Sequence, residues 1–241
     1  MTQPQTQPQV AGTGYRHFHE QLAELKQRLL DMASRAEELI DLSVEALRTR
    51  DSDKAAAVLT RDAEIDALEL EVEQRAIALL ALQQPMARDL RFIVGAIKIS
   101  SDLERVGDHA VNIAQATLRL LESALVLTPG PEIDDMARRS RKMLGDALDA
   151  FIRSDGVLGR EVCRRDDEVD ALEETSFRAL LTHMMESPAT ISAALQLLLV
   201  SRNLERVADL ATNIGEDAVY LAEGKQIKHH VEDRMPERAR G

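Results

Sequence analysis

DLERVGDHAVNIA at residues 102–114 returns as NLERVADLATNIG at residues 203–215, with eight of the thirteen positions identical and no gap. Each copy keeps two carboxylates four residues apart, Glu104 with Asp108 and Glu205 with Asp209. Residues i and i+4 of a helix differ in direction by only about 40°, so each pair occupies one face. A second phrase repeats ahead of the first: RDAEIDALE at 61–69 against RDDEVDALE at 165–173, seven identities in nine. The shift is 104 positions for this phrase and 101 for the other, and the difference falls around the Pro85 and Pro188 turns. An offset kept over whole helices marks a duplicated unit.

Outward from these phrases, prolines set the punctuation. Pro85, Pro129, Pro131 and Pro188 fall between long periodic segments, where helices must stop. Asp51-Ser52-Asp53 and Ser154-Asp155-Gly156 add two breaks with capping chemistry. Six helices are predicted, near 16–49, 53–82, 86–126, 132–153, 157–185 and 189–223. The second shows an apolar side of Ile65, Leu68, Val72 and Leu79, spaced as a helix packed on one face requires. No segment alternates as a strand does.

The expected fold is all-α: two tandem, pseudo-repeated three-helix bundles built from six long antiparallel helices. The first bundle spans 15–127 and the second 131–224, between a disordered tail at 1–14 and a polar tail at 225–241. Each half has enough helix to close a core, and the short linker at 127–131 places the halves side by side.

A chain of 241 residues with 44% hydrophobic but only 2% aromatic residues suits Ala- and Leu-rich helices. The formal charge of −12 disfavours nucleic acid and favours cations or basic partners. Cys163 is the only cysteine, which excludes an intrachain disulfide and reads as a buried, inert thiol. The first residues have neither a basic nor an apolar region of a signal peptide, and no apolar run approaches a membrane span. A cytoplasmic protein is expected.

Acidic pairs at i, i+4 arise by chance in a chain with 42 acidic residues, and Glu20/Glu24, Glu37/Asp41 and Glu69/Glu73 also qualify. The duplication is the filter: Glu37 aligns with Arg141, Asp41 with Gly145 and Glu73 with Phe177. Only Asp62/Asp66 with Asp166/Asp170, and Glu104/Asp108 with Glu205/Asp209, recur as pairs. Like charges at this spacing repel by roughly 0.2–0.5 kcal/mol, a sign that a bound cation reverses. The bland alternative is a salt bridge to Arg105 or Arg206 in the same helix. Asn112 and Asn213 offer a carbonyl ligand or a helix contact. An all-oxygen donor set suits hard ions, with zinc and nickel also accepting carboxylates. His109, replaced by Leu210 in the other copy, reads as one half's extra ligand or as a surface or hydrogen-bonded histidine, and His229 and His230 fall in the polar tail. No phosphate loop, Ser/His/Asp grouping or Cys pair is present.

The duplicated L-E-R-V-x-D-x-A-x-N-I phrase and the preceding R-D-x-E-x-D-A-L-E segment resemble the PhoU family of phosphate-uptake regulators over residues 18–224. That family carries an E(D)-x-x-x-D motif, which falls here at Asp62/Asp66, Glu104/Asp108, Asp166/Asp170 and Glu205/Asp209. The resemblance implies that these eight residues ligate divalent or trivalent metal ions such as iron, zinc, manganese or magnesium. It also implies a cytoplasmic, non-enzymatic homodimer that restrains phosphate uptake and phosphate-starvation signalling. Its implied partners are the ATPase of the phosphate ABC transporter and the sensor histidine kinase of the phosphate two-component system. The mismatch of His109 with Leu210 leaves the equivalence of the two metal sites open. Two other readings compete: a di-iron carboxylate oxidase, which needs a Glu-x-x-His pairing that none of the six histidines has, and a metal-free helical scaffold.

Overall fold

The computed structural model of the protein describes residues 11–123 and 127–227, with side chains from Arg16 onward. Six helices fill it: α1 (Ala11–Thr49), α2 (Ser52–Gln83), α3 (Ala87–Leu121), α4 (Pro131–Arg153), α5 (Gly156–Glu186) and α6 (Ile191–Glu223). A 3-10 turn at Pro188–Thr190 precedes α6, and the described residues contain no strand.

The predicted breaks act through their side chains. Asp51 accepts hydrogen bonds from the backbone N–H groups of Asp53 at 2.9 Å and Lys54 at 3.0 Å. Asp155 repeats this at α5, accepting from Val157 and Leu158 at 3.0 Å each. Both satisfy donors that the first helical turn leaves without partners. Pro131 opens α4 behind Gly130, where its missing N–H costs nothing.

Two boundaries differ from expectation. Residues 11–14, read as tail, form the start of α1, because no proline separates Ala11 from the periodic segment and extending a formed helix is cheap. The third helix, expected to reach 126, ends at Leu121, one residue beyond Leu120, its last buried side chain. Residues 1–10, 124–126 and 228–241, with His229 and His230, lie outside the described residues.

The helix carrying the L-E-R-V phrase builds the middle of the molecule in each repeat. Helices α3 and α6 pack on each other, with α1 and α2 against α3 and with α4 and α5 against α6. Each of the two central helices buries fifteen residues, while α2 buries six and α5 seven. The repeats therefore share one continuous apolar core. Across it, Phe92 of α3 stacks on Phe151 of α4 with ring centroids 5.0 Å apart. The outer position of α2 and α5 leaves their polar flanks in solvent, and there the acidic pairs stand.

Helices α5 and α6 touch backbone to backbone at Gly159. A Cβ added there would lie 2.6 Å from the Gly215 carbonyl oxygen, an atom that cannot swing away. Gly159→Ala is therefore expected to lower stability by about 1–2 kcal/mol, overpacking outweighing the ~1 kcal/mol that alanine gains in helix propensity. The check is the urea midpoint, which should fall at constant slope; an unchanged midpoint would mean that the two helices stand farther apart.

Candidate metal centre

In each half the outer helix and the central helix run antiparallel, and their acidic flanks face each other. Asp62 and Asp66 of α2 meet Glu104 and Asp108 of α3. Burial raises the Asp62 carboxyl above its ordinary range, with Asp66 and Asp108 adding to the rise. Burial raises Glu104 as well, followed by Asp108, Glu69, Asp66 and Asp62. Every charge that shifts these two groups is negative. The fit is close: a Cβ added at Gly107 on α3 would come within 2.9 Å of Asp62 Oδ1.

The second half repeats the arrangement with Asp166 and Asp170 of α5 against Glu205 and Asp209 of α6. Asp166 is pushed up to about 7, first by burial and then by Asp170, Asp209 and Glu205. Asp170 rises through burial and Asp209. Glu205 rises through burial and Asp209, against a lowering by Arg206. All eight predicted residues are thus gathered into two clusters of four, one per repeat.

Burial and like charge oppose ionisation together, and a cation relieves both. The second cluster carries the clearest sign of a fit to metal: Asp166 Oδ1 and Glu205 Oε2 are buried without a hydrogen-bond partner. Arg206 lies 3.5 Å from that Glu205 oxygen, within ion-pair range but not hydrogen-bonded to it, and gives its hydrogen bond to Asp209 at 2.8 Å. Orphaned hard-oxygen acceptors suit Mg-, Mn- or iron-type ions. As placed, no three Asp, Glu, His or Cys side chains among the described residues converge on a single metal position. Repelling carboxylates converge only when a cation draws them in, so binding requires rotamer changes at these exposed and half-buried positions.

The salt-bridge alternative applies to one half. Arg206 pairs with its own helix's carboxylates, but Arg105 pairs with Asp102 at 3.8 Å. His109 serves the fold: its Nδ1 meets Asn203 Oδ1 at 2.8 Å, joining α3 to α6. Asn203 Nδ2 donates to the Leu199 carbonyl at 2.7 Å, so Oδ1 accepts and His109 Nδ1 carries the proton. Burial lowers the His109 pKa and favours the neutral ring. Asn213 lines a cavity of about 310 Å³ beside Asp166 and Asp209, together with Arg105 and His109. Cys163 is buried, its thiol pushed up to about 11, as its inert reading requires.

Two residues were missed. Glu69 acts on Glu104, and Glu173, its counterpart in the repeated phrase, acts on Glu205. The requirement for recurring i, i+4 pairs discarded Glu69 because Glu73 faces Phe177 in the alignment. Applying recurrence to single positions would have kept both. A cavity of about 1060 Å³ lies elsewhere, between α1 and α4. Arg141 bonds Asp41 there and Arg61 bonds Glu38 at 2.7 Å, while burial raises the Glu37 carboxyl above its ordinary range. Cations line it beside its carboxylates, whereas every charge that shifts Asp62 and Glu104 is negative.

With the geometry in hand, comparison with protein-family models matches the PhoU domain twice, at residues 29–117 and 133–218. A phosphate-specific transport system accessory protein PhoU homolog from Aquifex aeolicus is 40% identical over 215 residues, 89% of this chain and 97% of the relative. Its counterpart from Pseudomonas aeruginosa is 36% identical over 220 residues, 91% of either chain. The crystal structure of PhoU from Pseudomonas aeruginosa superposes with a TM-score of 0.81 at 35% identity, covering 86% of this chain and all of the other. The phosphate transport system regulatory protein PhoU from Streptococcus pneumoniae gives 0.81 at 30% identity, covering 88% of this chain and 100% of that one.

Proposed function

Since the chain belongs to the PhoU family, we propose that it serves a phosphate transport system as a non-enzymatic accessory regulator that restrains phosphate uptake and starvation signalling. The observation that carries this is full-length likeness to relatives named as phosphate-specific transport accessory proteins. It works as a cytoplasmic homodimer whose helix faces bind the transporter ATPase and the sensor histidine kinase. Among the described residues no helix is long and apolar enough to cross a membrane, which is compatible with that location.

Metal on the two carboxylate clusters sets the charge of the contact surface. Asp62, Asp66, Glu104 and Asp108 would hold it in the first repeat, and Asp166, Asp170, Glu205 and Asp209 in the second. A bound ion would supply compensating charge and draw each pair of helices together. The buried oxygens of Asp166 and Glu205 that accept no hydrogen bond support this reading. A di-iron oxidase has no support, since no histidine follows a Glu by three positions.

Elemental analysis of purified protein tests the metal assignment beside the variant carrying Glu104→Ala, Asp108→Ala, Glu205→Ala and Asp209→Ala. The parent protein should carry stoichiometric metal and the variant almost none, with equal helicity by circular dichroism. Equal metal in both would remove the assignment. Deleting the gene tests the regulatory role: phosphate-starvation genes should become constitutively active, and unchanged regulation would sink it.

A further inference from the structure

Every exposed large hydrophobic residue among those described lies on α2, α3, α5, α6 or the turns joining them, and none on α1 or α4. Three of these positions recur between the halves. On α2 and α3, Ile77 is 59%, Leu90 41% and Val94 40% exposed. Their counterparts Leu181, Ile191 and Leu195 on α5 and α6 are 43%, 41% and 48% exposed. Exposed apolar side chains scattered singly need no explanation, but a duplicated set on one surface points to a contact.

These residues share a flank with the carboxylates. Ile77 stands three turns beyond Asp66, and Leu90 five turns before Asp108, each aligned to within about 20° at 3.6 residues per turn. Leu181 and Asp170, and Ile191 and Asp209, repeat both spacings. Each antiparallel seam therefore has an apolar end at its interhelix turn and an acidic end about 27 Å away, the length of five turns. Leu82 and Met86 at one turn, and Met185 at the other, extend the apolar end at 72%, 81% and 77% exposure.

We propose that each seam docks one amphipathic helix of a partner protein, apolar along one face and bearing Lys or Arg toward one end. The proposal deepens the reading of this chain as an adaptor and rests on it. Helix-in-groove recognition uses apolar anchors three and four residues apart, which the spacing of these stripes matches. Charge decides among occupants. Each acidic end gathers four carboxylates beside Glu69 or Glu173, and the whole chain carries −12. A second copy of the chain would bring more negative charge to the seam, and an anionic lipid surface would be repelled. A basic helix meets both ends.

The probe is a fluorescein-labelled peptide of about 18 residues, with leucines spaced three and four apart and lysines in its last two turns. Three partners for it are compared by fluorescence anisotropy: the full chain, a variant carrying Ile77→Ser, Val94→Ser, Leu181→Ser and Leu195→Ser, and the four-carboxylate variant described above. The full chain should bind two peptides, and both variants should lose at least ~tenfold in affinity. A peptide of the same composition but scrambled leucine spacing, and one with Glu for Lys, should bind at least ~tenfold more weakly to the full chain. Equal binding by the serine variant, or by either control peptide, overturns the proposal. So does a chain that sediments as a dimer and becomes a monomer on serine substitution, or one that binds phosphatidylglycerol vesicles until the serines are introduced. Metal content separates this from the broader reading: a full chain that carries its metal but binds no peptide rejects the docking seam and leaves the metal assignment standing.

Discussion

Phe151→Ala is expected to cost about 3–5 kcal/mol, the range for truncating a fully buried aromatic side chain. The ring has no exposed surface, and it lies between the Phe92 ring and the bare backbone of Gly95, both on α3. Backbone cannot collapse into the cavity left behind, which keeps the cost at the upper part of the range. At ~2–4 °C per kcal/mol for a chain of this size, the melting midpoint should drop by about 6–20 °C. Phe151 belongs to the second repeat and its neighbours to the first, so one continuous core should still unfold in one step. Differential scanning calorimetry checks both points. Two resolved transitions, or a loss below about 1 kcal/mol, would show that the halves are energetically separate.

Asp166→Asn should stabilise the metal-free protein at about pH 8 by ~1–3 kcal/mol, a range discounted from the pKa displacement for solvent screening. Unfolded, the Asp166 carboxyl titrates at 3.8; folded, burial and then Asp170, Asp209 and Glu205 hold it at about 7. The folded state binds the extra proton between these values, so stability falls as pH rises from 3.8 towards 7 and is lowest above it. Asparagine removes the ionisation and should flatten that slope. In metal-saturated protein the sign reverses, because the variant loses a ligand and the stabilisation that binding provides. Urea unfolding at about pH 5 and pH 8, with chelator and with manganese, separates the four cases. An unchanged pH slope in the chelated variant would mean that Asp166 is not held protonated by its surroundings.

The duplication made most of this legible. Two phrases at nearly constant offset located α2, α3, α5 and α6, and proline and Asx caps located the breaks, because those signals act within a single turn of chain. Boundaries without such a signal were misplaced. Nothing in residues 11–14 forbids helix, and α3 stops at Leu121 because burial stops at Leu120, a fact about neighbours and not about sequence. Among the acidic residues, recurrence found the eight that cluster, while a rule about pairs lost Glu69 and Glu173. Arg105 was the salt-bridge alternative for the Glu104/Asp108 pair. In the fold it turns to Asp102.

The sequence by itself determined that this is a duplicated helical protein, and which carboxylates share a helix face, since periodicity is a property of one helix. Only the tertiary structure decided that the repeats have one core with α3 and α6 at its centre. It also decided that each acidic flank faces another across a seam, with one oxygen each of Asp166 and Glu205 buried without a hydrogen bond. Desolvation and the distance between charges on different helices set those pKa values and that unmet demand for a cation, and neither quantity exists until the helices pack.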